Sequence, residues 1–377
     1  MKPIDPGVRR RTVLGGLLAL TAAGCADDDQ GGAEPTSSPT PVEPSPSASD
    51  PTGAPDLDGG QELVRGLAVP WGLAFLPDGS ALVSERGTAD ILRVGLDGSG
   101  PEQVQRIEGV RAEGEGGLLG LAVSPDYEAD ELVYAYFASD EGDNRIVRFR
   151  LGEEQESVFT GIAAAGNHNG GRIAFGPDSM LYAATGDAGD TSLSQDENSP
   201  NGKILRLTSE GDAAEGNPTE GSPVWTLGHR NVQGLAWDAD GRLYASEFGQ
   251  NALDELNLIE AGNNYGWPEV EGEGGTDDGR FTDPLLTWPV EEASPSGIAI
   301  AGDVLYMAAL RGARLWTVPL NGDGTVGEPA SRFEGEYGRL RTVAVAPDGA
   351  LWLTTSNTDG RGEVRDGDDR IIRFPAG

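Results

Sequence analysis

From about residue 60 to the C-terminus, apolar side chains come in short runs of four or five, each closed by a turn. Runs of that length suit strands rather than helices, which need longer 3.6-residue periodicity. A loose unit recurs: a strand, a Pro-Asp-Gly-like turn, a second strand, then a third ending in Arg or Leu. It reads Gly72-Leu-Ala-Phe75, Pro77-Asp-Gly79, Ala81-Leu-Val-Ser84 and Ile91-Leu-Arg-Val94. It returns as Gly120-Leu-Ala-Val123, Pro125-Asp126, Leu132-Val-Tyr-Ala135 and Arg145-Ile-Val-Arg-Phe149. The third copy has Arg172-Ile-Ala-Phe175, Pro177-Asp178, Leu181-Tyr-Ala-Ala184 and Lys203-Ile-Leu-Arg206. The fourth has Gly234-Leu-Ala-Trp237, Asp240-Gly241, Leu243-Tyr-Ala-Ser246 and Glu255-Leu-Asn-Leu258. The fifth has Gly297-Ile-Ala-Ile300, Gly302-Asp303, Leu305-Tyr-Met-Ala308 and Arg314-Leu-Trp-Thr317. The sixth has Thr342-Val-Ala-Val345, Pro347-Asp-Gly349, Ala350-Leu-Trp-Leu353 and Arg370-Ile-Ile-Arg-Phe374. Six copies spaced by roughly 45 to 65 residues predict an all-β, six-bladed β-propeller of four-stranded antiparallel blades around a central channel. A β-sandwich with coincidental turns is the competing architecture. The fourth strand of each unit is faint, and Glu62-Leu-Val-Arg-Gly66 is placed to complete the last blade, which removes two exposed pairing edges.

Residues 1–58 follow a different pattern. Arg9, Arg10 and Arg11 precede an apolar run from Val13 to Ala23, too short for a bilayer span of about 20 residues but suited to a signal-peptide core. Arg10-Arg11-Thr12-Val13-Leu14 resembles a twin-arginine export signal, and Leu20-Thr21-Ala22-Ala23-Gly24-Cys25 resembles a bacterial lipobox. The expectation is a signal peptide over 1–24, a lipidated Cys25 and disordered linker over 25–58, and one propeller domain over 59–377. The linker is rich in Pro, Ser, Thr, Gly and Asp, with Val42 and Leu57 its bulky apolar residues, too little to offset ordering entropy. The protein is expected to be extracytoplasmic, touching the membrane only through its lipid, and monomeric.

Composition adds three constraints. The chain of 377 residues has a formal net charge of -35, which argues against nucleic acid as a partner because phosphate binding needs clustered cations. With 57 Gly and 25 Pro, many tight turns are expected. The single cysteine excludes an intrachain disulfide.

Chemistry-bearing residues gather at the strand junctions. The two histidines are His168, in Gly166-Asn-His-Asn-Gly-Gly-Arg172, and His229, at the matching place one blade later. Both precede inner strands and are expected at one channel mouth. Asp187, in Thr185-Gly-Asp-Ala-Gly189, leaves the next strand of the His168 blade. A carboxylate on one imidazole nitrogen fixes the tautomer and makes the other nitrogen a better base. Otherwise these are turn residues satisfying loop backbone. Arg230 and Asn231 follow His229. The segment from Glu247 through Gly249, Gln250, Glu255 and Asn257 to Tyr265 offers carboxylates, amides and Gly-rich carbonyls of the kind Ca²⁺ takes, although acidic solvated loops read the same way. Arg311, Arg339 and Arg341 are cations in an acidic chain; guanidinium forks suit carboxylates, whether of a ligand or of neighbouring acids.

Several strings in order resemble the soluble quinoprotein sugar dehydrogenases, the aldose sugar dehydrogenase and glucose/sorbosone dehydrogenase group. They are Gly114-Glu-Gly-Gly-Leu-Leu-Gly120, Asn167-His-Asn-Gly-Gly-Arg172, Gly186-Asp187, Arg230-Asn231, Asp254-Glu-Leu-Asn257, Asn264-Tyr-Gly-Trp-Pro268 and Arg339-Leu-Arg341. The resemblance implies pyrroloquinoline quinone (PQQ) and Ca²⁺ held on the axis. His168 would be the general base, Asp187 its orienting carboxylate, and Arg230 the stabiliser of charge on the quinone. Glu115, Asn231, Arg311, Arg339 and Arg341 would meet the cofactor. The carbonyls of Gly249 and Gln250 would ligate one Ca²⁺, with Glu255 and the Tyr265 carbonyl at a second, structural site. Three positions depart from the family's usual residues: Glu115 for Gln, Arg311 for Lys and Gln250 for Pro. Glu115 adds a carboxylate beside an anionic cofactor, which weakens binding unless it is protonated or paired with an Arg. The expected partners are a sugar and an electron acceptor. Two other readings compete: a non-catalytic propeller that binds a glycan or protein, and a Ca²⁺-dependent lactonase-type propeller. The second needs carboxylates rather than arginines on the axis.

Overall fold

A computed structural model describes residues 53–274 and 279–377; the expected signal peptide, Cys25 and most of the linker lie outside the described residues. Six four-stranded antiparallel sheets carry the described chain. Their innermost strands are Pro70–Phe75, Leu118–Val123, Ile173–Phe175, Val232–Trp237, Pro295–Ala301 and Leu340–Val345. Each pairs outward with its second strand, as Pro70–Phe75 does with Ala81–Glu85, and successive inner strands pack side by side round the ring. Helix is confined, among the described residues, to two single turns, Tyr127–Asp130 and Ser192–Gln195.

Ring closure follows the sequence pattern. Gln61–Arg65 pairs antiparallel with Arg370–Phe374, so the N-terminal strand completes the sixth blade. The outer strands were faint in sequence because their side chains are mostly half-exposed or exposed, as in Glu102–Arg106 and Ala330–Arg332. With one face wet, the apolar alternation that marks a strand is lost.

Between blades the core is apolar. The second strands are almost wholly buried, and Trp352 of blade six meets Phe75 of blade one edge-on, with ring centroids 5.1 Å apart. Removing a buried aromatic of that size typically costs about 3–5 kcal/mol. Small hydroxyls stitch neighbouring blades: Ser84 Oγ donates to the Leu119 carbonyl (2.6 Å). Ser246 Oγ donates to the Ser296 carbonyl and Thr342 Oγ1 to the Trp71 carbonyl, both at 2.6 Å.

Five inner strands break register near their N-terminal ends, at Pro70/Leu73, Leu118/Leu121, Val232/Gly234, Pro295/Ile298 and Leu340/Val343. Such irregularities re-aim side chains. Here they occur beside Trp71, Gln233 and Arg341, which line the channel.

Candidate active site

The functional loops leave the second strands and re-enter the first strands at one end of the channel. His168 precedes an inner strand, and Asp187 follows the second strand of the same blade. His168 Nδ1 lies 2.7 Å from Asp187 Oδ1, leaving Nε2 as the open nitrogen. Asp187 is fully buried and also accepts from the Gly189 N–H (2.8 Å) and Trp267 Nε1–H (2.9 Å). Burial pushes its carboxyl up, but His168 and these two donors outweigh burial, so its pKa falls below the ordinary value. An ionised Asp187 keeps the proton on Nδ1 and makes Nε2 a proton acceptor. The close approach depends on Gly186, where a Cβ would fall 2.0 Å from the His168 carbonyl oxygen.

Glu115 reaches the same histidine from blade two. Its Oε2 accepts the His168 backbone N–H (3.0 Å), and its Oε1 pairs with Arg361 at 2.9 Å. Burial raises the Glu115 pKa; the His168 N–H and Arg361 lower it by more, so the group is anionic and neutralised. The sequence's objection to a carboxylate here is thus met by an arginine. Arg361 is 60% exposed, so the pair adds little stability; its consequence is charge.

The funnel floor is a cavity of about 20 Å³, lined by Trp71, Arg86, Glu115, Gln233, Arg341 and Arg361 among others. A far larger hollow of about 490 Å³ opens at the opposite end, but it is walled mainly by Phe75, Phe175, Trp237, Ile300 and other apolar residues, with Arg172 its one ionisable group. The titratable side chains gather at the narrow end. Arg341 is 6% exposed, and burial, with Arg86 nearby, brings its pKa down to about 9. Arg172, on the Trp71 ring at 4.3 Å, is likewise brought to about 9 by burial. Burial also lowers Arg230, whose guanidinium lies 5.5 Å from the Trp267 ring and donates to the Phe248 carbonyl (3.3 Å).

The expected site residues divide. His168, Asp187, Glu115 and Arg341 come together at the channel. Asn231 is buried beside them, its Oδ1 accepting from Gly170 N–H (3.0 Å) and Gln233 Nε2 (3.1 Å). Arg339 is committed to Asp359 through Nε (3.0 Å) and Nη2 (2.9 Å). Arg311 is not brought into the cavity: it is exposed on the turn after Leu310, and Leu310 lines the wall instead. His229 also fails the expectation of a channel position. It is fully buried, with Nδ1 on Glu247 Oε2 (2.7 Å), Nε2 on Thr226 Oγ1 (2.9 Å) and its ring stacked on Tyr265 at 4.8 Å. Both nitrogens are used, so it is a packing residue. Sequence reasoning missed Arg86, Arg361 and Trp267. Arg86 leaves its second strand where Asp187 leaves that of blade three, and that parallel was the available signal; Trp267 lies in Asn264-Tyr-Gly-Trp-Pro268, where nothing in the sequence points it at Asp187.

An anionic cofactor suits this floor. Arg230 Nε and Arg341 Nε are buried with no hydrogen-bond partner among the described residues, as are Trp352 Nε1 and Arg373 Nε in blade six; the two arginines at the channel are placed to donate to an anionic ligand. For a cation, no cluster of three or more His, Cys, Asp or Glu side chains exists among the described residues. The oxygens on offer are carbonyls: those of Gly249 and Gln250 accept no hydrogen bond from the described residues. Elsewhere in blade four, Glu255 is pushed up to about 7 by burial and by Glu247, its partner across the ladder. Asn257 Oδ1 beside it is buried without a partner. Glu255 also accepts from Gly272 N–H (2.7 Å) and Asn257 Nδ2 (3.1 Å); carboxylate and amide oxygens of this kind are the donors a hard cation takes.

A six-bladed propeller with a carboxylate-oriented histidine above an arginine-rich axial floor defines a class of axial-site enzymes. The chain belongs to the glucose/sorbosone dehydrogenase family, whose match spans residues 67–371. A PQQ-bound aldose sugar dehydrogenase from Streptomyces coelicolor is 54% identical, with a TM-score of 0.79, covering 85% of this chain and 99% of that one. The aldose sugar dehydrogenase of Escherichia coli is 28% identical over 77% of this chain and 88% of its own length. The quinoprotein glucose dehydrogenase B of Acinetobacter calcoaceticus is 31% identical over 56% of this chain and 52% of its own.

Proposed function

We propose that this protein oxidises the anomeric hydroxyl of an aldose to the lactone, using PQQ and Ca²⁺. The observation that carries this reading is the His168–Asp187 pair beside buried, unpartnered arginine donors; the named relatives support the same chemistry. PQQ, when bound, supplies a quinone that accepts the hydride leaving C1 of the sugar, and Ca²⁺ polarises it. His168 Nε2 takes the proton from the anomeric hydroxyl as the C1–O bond gains carbonyl character. Asp187 holds the imidazole in the Nδ1–H tautomer and stabilises its protonated form. Arg230 offers a cation where negative charge develops. Arg341 and Asn231 line the floor as cofactor contacts, with Arg86 and Arg361 as further cations against its carboxylates. The carbonyls of Gly249 and Gln250 would ligate the cation, and Glu255 with the Tyr265 carbonyl would hold a second. Arginines rather than a ring of carboxylates favour this reading over a lactonase. The protein acts as a monomer outside the cytoplasm, held by lipid on Cys25, and gives its electrons to a separate acceptor.

The reaction is tested with an aldose deuterated at C1. The expected result is a primary isotope effect on turnover and the aldonolactone as product. Oxidation at another carbon, or no isotope effect in single turnover, contradicts hydride loss from C1.

A further inference from the structure

Residues 248–252 join the second and third strands of blade four, Leu243–Glu247 and Leu253–Ile259. Amides here converge on one atom. Glu271 Oε1 accepts from the N–H groups of Gln250 (2.7 Å), Asn251 (3.1 Å), Ala252 (3.0 Å) and Leu253 (3.2 Å). Successive amides aimed inward form an anion-binding nest, filled here by the chain's own carboxylate. A second carboxylate, Asp254, accepts from Gly249 N–H (2.9 Å) and Ser294 N–H (2.6 Å). The loop is tight enough that a Cβ on Gly249 would lie 1.8 Å from the Leu253 carbonyl oxygen.

In a trans peptide, the N–H and the preceding C=O point in opposite directions. Amides 250 and 251 face Glu271, so the carbonyls of Gly249 and Gln250 turn to the other side of the loop. No described residue donates to them there. The carboxylate also polarises those peptides, which places more negative charge on the same two oxygens. We infer that Glu271 is a positioning residue for a divalent cation, holding the loop in its carbonyl-out form before the metal arrives. The inference rests on reading Gly249 and Gln250 as calcium ligands. Gln250 retains the N–H that a proline would lack, and that N–H makes the shortest of the four bonds.

Hydrogen exchange on the full protein, stripped of metal and then titrated with CaCl₂, separates the two claims. Without calcium, amides 250–253 exchange slowly in the wild type and at least tenfold faster in Glu271→Ala. With calcium, the wild-type loop gains protection, and the half-saturating concentration rises at least tenfold in Glu271→Ala. Glu271→Gln, which keeps an acceptor oxygen, falls between them and guards against a folding defect. Equal exchange and equal calcium response in wild type and Glu271→Ala overturn the positioning role while leaving the calcium reading intact. A wild-type loop that does not respond at about 10 mM calcium, above the range of weak extracellular sites, overturns the calcium reading and the inference with it.

Discussion

His168 sits at φ 54°, a left-handed conformation uncommon for a residue with a Cβ. It is held there from both sides: Glu115 takes its N–H and Ala188 N–H donates to its carbonyl (3.1 Å). With the backbone pinned and Nδ1 on Asp187, the free nitrogen has one direction to face. His168→Gln is therefore expected to lower kcat/KM by roughly 10²–10⁴, the usual worth of a general base, while PQQ affinity by fluorescence titration stays within a few-fold. A matching loss of affinity would make His168 a binding residue instead. The Asp187 carboxyl has a folded pKa below its ordinary 3.8, so its contribution to stability is present above that value. It is lost as pH falls through the folded pKa. Melting temperatures should drop more steeply between pH 5 and pH 3, roughly the range around the carboxylate titration, in wild type than in Asp187→Asn. Parallel curves would refute the ionised, bonded Asp187. His168, Asp187 and Arg341 were legible because the neighbouring strings were distinctive. His229 was misplaced because sequence marks the turn but not which side chain the turn admits to the axis.

Strand elements carry the site by their ends. Inner strands break register at the same end in five blades, and second strands release Arg86, Asp187 and Phe248 there. The periodic apolar runs made three strands of each blade readable, and the Pro-Asp-Gly turns made the repeat readable. The register breaks were not, because one displaced residue leaves an apolar run unchanged in composition. Closure by Gln61–Arg65 is the element on which ring integrity depends, since Val64 is buried and its backbone fills the edge of Arg370–Phe374. Deleting residues 59–66 should leave that edge open and lower the melting temperature by about 10 °C or cause aggregation; a loss of about 1 kcal/mol alone shifts a domain this large by only a few degrees. An unchanged melting curve would show that the ring does not need this strand.

At the scale of the whole molecule, blade six brings the start and end of the described chain together: Asp56 N–H donates to the Pro375 carbonyl (2.8 Å). They meet beyond Phe374, which pairs with Leu351 at the end of the sheet away from Leu340 and Arg341. The described chain therefore begins at the end of blade six opposite Arg341. Cys25→Ser should move the protein from the membrane fraction to the soluble fraction of cells that export it, with sugar oxidation preserved; retention in the membrane would refute the lipid anchor. The chain carries a charge of -35, yet arginines gather at the site: Arg341 is buried there, while Arg361 and Arg339 are each paired to one acid, Glu115 and Asp359. What the axis binds decides the function. Purified protein titrated with PQQ in excess Ca²⁺, then assayed for dye-linked oxidation of a panel of aldoses, should show saturable binding that weakens at least tenfold in Arg341→Ala. Turnover of at least one aldose should require both additions. A folded protein that binds no PQQ under these conditions would contradict the dehydrogenase reading.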